Sequence, residues 1–283
     1  MSASTTPYMT DSVTSDGATI GYRQIGSGPG IILLHGGMQA SLNYMRLAAA
    51  LSDAFTVYVP DRRERGLSGP YGDQYSIAKE CEDVDALLDK TGAHFLFGHS
   101  SGGLIALQAA LTLPSIHKVA VYEPPLSLHG SVPMSWVPRY EWEVARGELA
   151  SAMITLVKGL KLSRVVTFLP RWLLLPLTKL ALRSNKQTLK PGDVSMEALI
   201  PTMRFDQQLV KEMDNSLGSF KAMRAEVFLL GGDKSPAFLR EALDALSKTL
   251  PRVERVELRG LGHDAPNETA PERVSKELRA FFS

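Results

Sequence analysis

The sequence alternates short apolar runs with stretches of helical periodicity, and this alternation restricts the fold more than any other feature. Three of the runs, GIILLHGG, FTVYVPD and HFLFGHS, are continuously apolar, as strands buried on both faces are. Helical patterns follow them at residues 41–52, 76–91 and 102–113. Strict alternation of strand and helix predicts a mostly parallel sheet with helices on both faces.

The alternation stops after a further strand, KVAVYEPP, and resumes at EVFLLGG. Residues 127–217 between them show only helical and proline-interrupted segments. After EVFLLGG come a helix with Ser235 and Pro236 as N-cap and first turn, the last strand RVERVELRG, and a terminal helix opened by Pro271. We therefore predict one α/β domain, residues 1–126 and 218–283, with a helical cap inserted at 127–217.

Composition argues against several classes of protein. A net charge of +1 over 283 residues gives no reason to expect nucleic-acid binding, and 44% hydrophobic residues is ordinary for a globular protein. The single cysteine, Cys81, allows no intrachain disulfide and favours a reducing compartment. The first residues lack the apolar core of a signal peptide, and no apolar run is long enough to span a bilayer. We expect a cytoplasmic protein.

The pentapeptide Gly98-His99-Ser100-Ser101-Gly102 lies between a predicted strand and a predicted helix. A serine on so sharp a turn has a strained backbone, and glycine avoids the collision that side chains two positions to either side would cause. The turn lifts the Ser100 hydroxyl above the sheet, beside the positive end of the next helix. The same pattern occurs in ordinary glycine-rich turns, but its position between strand and helix favours a nucleophile.

Two other turns supply the partners that such a nucleophile needs. His35-Gly36-Gly37 ends an earlier strand, where a backbone N–H can act with that of Ser101 to hold a developing oxyanion. His263 lies in a glycine-rich loop directly after the last strand. The other histidines lie in connections or beside the serine, where they are poor candidates for a general base.

These motifs, in this order, resemble the α/β-hydrolase fold superfamily, and the resemblance extends over nearly the whole chain. It implies an eight-stranded sheet, Ser100 as nucleophile, His263 as general base, and the N–H groups of Gly37 and Ser101 as the oxyanion hole. PDRRERGLSG also resembles the D-x-x-G-x-G-x-S loop that follows the fourth strand of these proteins, with Glu64 where a glycine is usual.

Two carboxylates compete for the role of the acid that orients His263. Family members usually carry it after the seventh strand in a motif like G-x-x-D-P; in GDKSP that position holds Ser235, and Asp233 lies two residues earlier. Glu123 follows the apolar run in AVYEPPL, at the same sheet edge as Ser100, and zearalenone lactonases resemble this arrangement. We favour Glu123 and keep Asp233 as the alternative.

The segment from Leu149 to Gly192 carries eight cations and no acids, so the rest of the chain has a net charge of −7. We interpret it as part of a lid, with its apolar face on the mouth of the site and its basic face in water. An alternative is contact with an anionic membrane surface. The candidates to line an apolar substrate pocket are Met38, Trp136, Trp142, Phe168 and Trp172. The four aromatic residues could equally pack within the lid.

The sequence therefore predicts a serine hydrolase that cleaves an ester or lactone of a hydrophobic small molecule, with no cofactor and no metal. Three alternatives are a hydrolase of carbon–carbon bonds, a lyase or cyclase that uses the same pocket, and a non-catalytic receptor or interaction protein of the same fold. A serine nucleophile disfavours dehalogenase and epoxide-hydrolase chemistry, which in this family uses an aspartate. The presence of both Ser100 and His263 disfavours the receptor.

Overall fold

The predicted sheet is present in the computed structural model, which describes residues 8–162 and 164–283. Within these residues its strands are β1 (Met9–Ser15), β2 (Ala18–Ile25), β3 (Gly30–Leu34), β4 (Thr56–Pro60), β5 (Phe95–His99), β6 (Lys118–Tyr122), β7 (Glu226–Gly232) and β8 (Val253–Leu258). They lie in the order β1-β2-β4-β3-β5-β6-β7-β8. The β1–β2 and β2–β4 pairs are antiparallel and the other pairs are parallel. The eight-stranded, mostly parallel sheet is thus confirmed.

The helices surround this sheet and fill the predicted insertion. In the same described residues they are α1 (Met45–Leu51), α2 (Ile77–Thr91), α3 (Ser101–Thr112), α4 (Val137–Ala145), α5 (Leu149–Gly159), α6 (Arg164–Phe168), α7 (Arg171–Gln187), α8 (Met196–Leu199), α9 (Met203–Glu212), α10 (Ala237–Thr249) and α11 (Pro271–Phe282). Of the helices that the structure describes, none is both long and apolar enough to cross a bilayer.

The strand β1 comes from a segment whose pattern did not indicate a strand. Its sequence, MTDSVTS, is polar and mostly exposed, and it pairs with β2 at the edge of the sheet. Hydrophobic alternation arises where one face of a strand is buried against a core. Because β1 covers little of the core, its residues do not alternate between apolar and polar, and the sequence gives no indication of a strand there.

Side chains alternate between two cores along the central strands. On β3, Ile31 and Leu33 pack with residues of α1 and α11, whereas Ile32 and Leu34 pack on the opposite face with residues of α2, α3 and α10. Successive side chains of a strand point to opposite faces of the sheet. A strand covered on both faces must therefore be apolar at every position, which explains the continuous run GIILL.

Six of the described helices, α4 to α9, follow one another between β6 and β7. They build a small hydrophobic cluster of their own, in which Trp136, Tyr140, Leu156 and Ile200 are buried together. This is the part of the chain that sequence patterns assigned to a cap, and we use that name for it. Its boundaries at residues 127 and 217 stay a prediction.

The turn from β5 to α3 has no room for side chains on its two glycines. A Cβ on Gly98 would overlap the carbonyl oxygen of Gly102. A Cβ on Gly102 would lie 2.5 Å from the carbonyl oxygen of His35, at the end of β3. The strand, the turn and the helix can therefore approach each other only with glycine at both positions.

We expect Gly98→Ala to destabilise the protein by at least about 1–3 kcal/mol, the usual cost of overpacking a close contact. The measurement is the free energy of unfolding in urea. Gly218→Ala is the matched control, because no atom lies within 4 Å of the added Cβ and the change should cost less than about 0.5 kcal/mol. Equal unfolding midpoints for the two variants would contradict the packing argument.

Candidate active site

Ser100 lies at the tip of the turn between β5 and α3, with φ 54° and ψ −124°. A side chain in this backbone region costs about 1–3 kcal/mol and persists only where its surroundings hold it. Here the Ser100 N–H donates to the carbonyl of Tyr122 on β6 at 2.9 Å. The half-buried Ser100 side chain lines a cavity beneath the cap.

His263 lines the same cavity and contacts a buried carboxylate. Its Nδ1 lies 2.7 Å from Oε2 of Glu123. The carboxylate is fully buried, whereas the imidazole is 24% exposed. An ionised carboxylate only accepts hydrogen bonds, so Nδ1 carries the proton and Nε2 is left as the proton acceptor of the ring.

The backbone of the neighbouring strand holds the Glu123 carboxylate. Its second oxygen, Oε1, accepts a hydrogen bond from the N–H of Gly232 at 2.7 Å. A Cβ on Gly231 would lie 3.2 Å from the same oxygen, so the glycine pair at the end of β7 leaves room for the carboxylate. Glu123 itself has φ 50°, in the left-handed region that few non-glycine residues adopt.

Asp233, the alternative acid, lies elsewhere. It is exposed, and its Oδ1 accepts a hydrogen bond from the N–H of Gly260 at 2.7 Å. Ser235, predicted to cap the next helix, does not do so: the N-cap is Pro236, and the buried Ser235 hydroxyl has no hydrogen-bond partner among the described residues. The capping prediction is wrong because the helix begins one residue later, at Ala237.

Gly37 and Ser101 both line the cavity beside Ser100. Ser101 is the first residue of α3, so its N–H has no acceptor within the helix. The loop that contains Gly37 lies against the serine, since a Cβ on the preceding Gly36 would be 3.0 Å from the Ser100 Cβ. The two N–H groups predicted to bind an oxyanion therefore belong to segments that both lie next to Ser100.

Two other histidines of the site region are fully buried and neutral. Burial lowers the pKa of His99 well below its usual value, and the nearby His263 lowers it further. The His99 Nε2 donates to the carbonyl of His263 at 2.8 Å, which positions the loop that carries His263. Burial likewise lowers the pKa of His35, whose Nε2 accepts from the N–H of Arg62 at 3.0 Å. Both are occupied by structural hydrogen bonds.

A buried ionic cluster joins the cap to the turn of Ser100, and sequence patterns did not indicate it. Asp206 on α9 accepts hydrogen bonds from Arg62 at 2.8 Å, from Arg65 at 2.7 Å and from the Ser101 hydroxyl at 2.7 Å. Arg62 also forms an ion pair with Glu80 on α2. Every one of these charged side chains is almost inaccessible to solvent.

The charges of this cluster stabilise one another. Burial alone would raise the pKa of Asp206, but the guanidinium groups of Arg65 and Arg62 outweigh it and hold that pKa below its usual range. Asp206 is therefore ionised at neutral pH. Its charge is balanced by the two arginines, so the carboxylate does not leave net negative charge beside the cavity.

The cavity has a volume of about 310 Å³ and is mainly apolar. Five methionines contribute to its walls: Met38, Met134, Met153, Met196 and Met203. Methionine has a flexible, polarisable side chain that adapts to irregular shapes. The cavity therefore suits an apolar ligand and tolerates variation in that ligand's shape.

The predicted pocket residues separate into two groups. Met38 and Trp136 line the cavity, as expected. Trp142, Phe168 and Trp172 are absent from its described lining and are 56%, 86% and 76% exposed. The expectation that these three residues face the pocket is thus corrected: the helical pattern of the cap does not specify which side of each helix turns inward.

Gln207 is a cavity residue that sequence reasoning missed. It is 2% exposed, and neither its amide nitrogen nor its amide oxygen has a hydrogen-bond partner among the described residues. Buried amides are nearly always hydrogen-bonded, because an unpaired one costs about 1–3 kcal/mol. It lies one residue after Asp206 on α9, whose inner face also presents Met203 and Val210 to the cavity.

The fold and the site together define a hydrolase of the α/β class. Residues 31–277 match the Alpha/beta hydrolase family, and the chain belongs to this family. A solved α/β hydrolase from Sphaerobacter thermophilus is 29% identical and superposes with a TM-score of 0.78, covering 96% of this chain and 100% of that one.

Of two relatives known from their sequences, one is less identical to the chain than this solved structure is, and the other matches a shorter part of the chain. The chain is 23% identical over 271 residues to 2-(acetamidomethylene)succinate hydrolase of Mesorhizobium japonicum, covering 93% of this chain and 91% of that one. It is 34% identical over 122 residues to the uncharacterized hydrolase YraK of Bacillus subtilis, covering 41% of this chain and 45% of that relative. The chain thus spans less than half the length of YraK in this match.

Proposed function

We propose that the protein is a serine hydrolase that cleaves an ester or lactone of a hydrophobic small molecule through an acyl-enzyme on Ser100. The observation that carries this proposal is the contact between His263 and the buried carboxylate of Glu123, in the cavity that Ser100 also lines. A serine, a histidine and a carboxylate in this relation are the elements of nucleophilic acyl transfer.

In the proposed reaction, the Ser100 Oγ attacks the carbonyl carbon while Nε2 of His263 takes the hydroxyl proton. The N–H groups of Gly37 and Ser101 hold the oxyanion, a contribution of about 2.7–4 kcal/mol for each donor in comparable enzymes. His263 then returns the proton to the leaving alcohol oxygen. A water molecule, deprotonated by the same nitrogen, attacks the acyl-enzyme and releases the carboxylic acid.

Glu123 acts through His263 in this proposal. Its carboxylate keeps the Nδ1 tautomer and stabilises the imidazolium that forms when Nε2 takes the proton. The hydrogen bond from Gly232 and the complete burial of Glu123 keep the carboxylate in one orientation. The proposal assigns no role to Asp233, whose Oδ1 accepts a hydrogen bond from the backbone of Gly260.

The cavity lining also describes the substrate. Its apolar walls suit a hydrophobic body, and the unpaired amide of Gln207 calls for one hydrogen-bonding group on that body. A carboxamide in the acyl portion would pair with both the amide nitrogen and the amide oxygen of Gln207, whereas a carbonyl would accept from the nitrogen alone. A carbon–carbon bond hydrolase would use the same Ser100 and His263, so cleavage of ester substrates is the property that distinguishes the proposal from that alternative.

A fluorophosphonate probe should label the wild-type protein, because the activated serine oxygen displaces fluoride from phosphorus. Labelling should be absent in Ser100→Ala and unchanged in Ser235→Ala, a control that removes a different buried hydroxyl. The measurement is mass spectrometry of the labelled peptide, together with hydrolysis rates for short, long and cyclic esters. Absence of labelling, or labelling at another serine, would contradict the proposal.

Glu123→Gln should lower kcat for an ester by about 10⁴-fold, as loss of the tautomer-fixing carboxylate does in a serine protease. Asp233→Asn should leave kcat within a few-fold of wild type, because that carboxylate contacts only the backbone of an exposed turn. Circular dichroism checks that both variants are folded. The reverse pattern, an active Glu123→Gln and an inactive Asp233→Asn, would assign the acid to Asp233.

Gln207→Leu should change specificity more than rate. Two esters of one alcohol are compared, whose acyl chains end in a carboxamide or in an isopropyl group of similar shape. We expect the kcat/KM of the carboxamide ester, divided by that of the isopropyl ester, to fall at least tenfold in the variant. The reason is that loss of one hydrogen bond of about 1.4 kcal/mol corresponds to a factor of ten. Met153→Leu, a change of another cavity residue that keeps its volume, is the control and should leave the ratio unchanged. An unaltered ratio in Gln207→Leu would show that Gln207 does not contact the acyl chain.

A further inference from the structure

The outer side of the cap exposes a concentration of large apolar side chains. Seven of the eleven exposed large hydrophobic residues in the described part of the chain fall between residues 162 and 180. Phe168 is 86% exposed and Trp172 is 76% exposed. Isolated exposed apolar residues are normal, but seven within residues 162–180 indicate an interaction surface. We call it the outer cap surface: Leu162, Val165, Phe168, Trp172, Leu173, Leu177 and Leu180.

The helix α7 is held in the cap by its other side. Leu174 and Leu182 are buried, and Leu182 belongs to the hydrophobic cluster of the cap. Leu173, Leu177 and Leu180 recur at intervals of four and three residues, which places them on one face of the helix. That face points into solvent. The sequence was interpreted as a lid with its apolar face on the mouth of the site, and these three leucines do not follow that arrangement.

Cations continue this surface along α7. Lys179, Arg183 and Lys186 are exposed and recur at the same intervals, and Lys190 follows the helix. Lys186 contacts Glu197 at 3.3 Å, whereas the side chains of Lys179, Arg183 and Lys190 form no ion pair among the described residues. The carboxylate of Asp193 accepts a hydrogen bond from the backbone N–H of Lys190 at 2.7 Å. Arg171 belongs elsewhere, since it is bound to Glu143 and Thr155 inside the cap. The three other cations of α7 lie on the same flank of the helix as Trp172, about a third of a turn from the leucine face. Lys179 and Arg183 also line a groove that contains Glu148 and Glu197, though neither forms an ion pair with the described residues there.

We propose that the outer cap surface binds to an anionic lipid bilayer. A helix with tryptophan, phenylalanine and leucine on its exposed face and with lysine and arginine beside them has the composition of segments that lie in the membrane interface. The apolar side chains enter the acyl boundary, and the cations face lipid phosphates. The association is peripheral and independent of the catalytic chemistry proposed above.

The outer cap surface is continuous with the cavity of the site. Leu162 is 43% exposed on that surface and also lines the cavity that contains Ser100 and His263. Leu160, two residues earlier, lines the cavity too. A bilayer against the outer cap surface would therefore lie next to the apolar lining of the cavity at Leu162.

The test is co-sedimentation of the full chain with vesicles of phosphatidylcholine alone and of phosphatidylcholine mixed with phosphatidylglycerol. We expect binding to the mixed vesicles only, weakened as salt is raised. A double variant, Lys179→Gln with Arg183→Gln, should reduce partitioning of the protein into the mixed vesicles by about 30-fold, because it removes two cations that the anionic lipid surface attracts. Phe168→Ser with Trp172→Ser should reduce it at least as much.

The matched control changes the same kinds of side chain on another helix of the cap. Trp142 on α4 is exposed, with the Arg146 guanidinium 4.8 Å from its ring centre. Trp142→Ser with Arg146→Gln should bind as wild type does. The proposal is overturned if wild type stays in the supernatant with mixed vesicles at low salt, or if the control variant loses as much binding as the others. It is also overturned if light scattering shows a dimer that the Phe168 and Trp172 changes dissociate, because a second copy would then cover the surface.

Discussion

The contact of Asp206 with Arg62, Arg65 and the Ser101 hydroxyl determines how the cap sits on the sheet. It links α9 to the loop after β4 and to the first residue of α3, so three separate segments meet at one buried carboxylate. Removing one partner of such a cluster leaves an uncompensated buried charge, which costs about 3–5 kcal/mol. The cap is therefore held directly above the turn of Ser100, and the same helix presents Met203 and Gln207 to the cavity.

The two faces of the cap follow from this attachment. Its inner side supplies half of the residues that line the cavity, and its outer side exposes Phe168, Trp172 and the leucines of α7. Leu162 belongs to both. The proposed catalytic residues thus lie at the edge of the sheet, and the helices of the cap form the other half of the cavity. In such an arrangement the cavity walls can change while the turn that carries Ser100 stays the same.

Much of the fold and part of the site could be predicted because their signals are local. Continuous apolar runs report strands covered on both faces, and G-x-S-x-G between a strand and a helix reports a turn too tight for side chains at Gly98 and Gly102. The preference for Glu123 agrees with its 2.7 Å contact to His263, although its catalytic role stays a prediction. The edge strand β1 was not predicted, since a polar edge strand has no apolar periodicity. The N-cap residue of α10 was predicted wrongly. Trp142, Phe168 and Trp172 were expected in the pocket and lie outside it, because helical periodicity does not specify which side of a helix is buried.

By itself, the sequence determined the order of strands and helices from β2 onward and the two turns that carry Ser100 and His263. These depend on apolar periodicity and on glycine, which act over a few neighbouring residues. Only the tertiary structure decided which side chains meet across long stretches of chain. Glu123 and His263 are 140 residues apart, and Arg62 and Asp206 are 144 apart. Their pairing depends on the order of parallel strands and the docking of α9, and no local pattern of residues encodes such a contact.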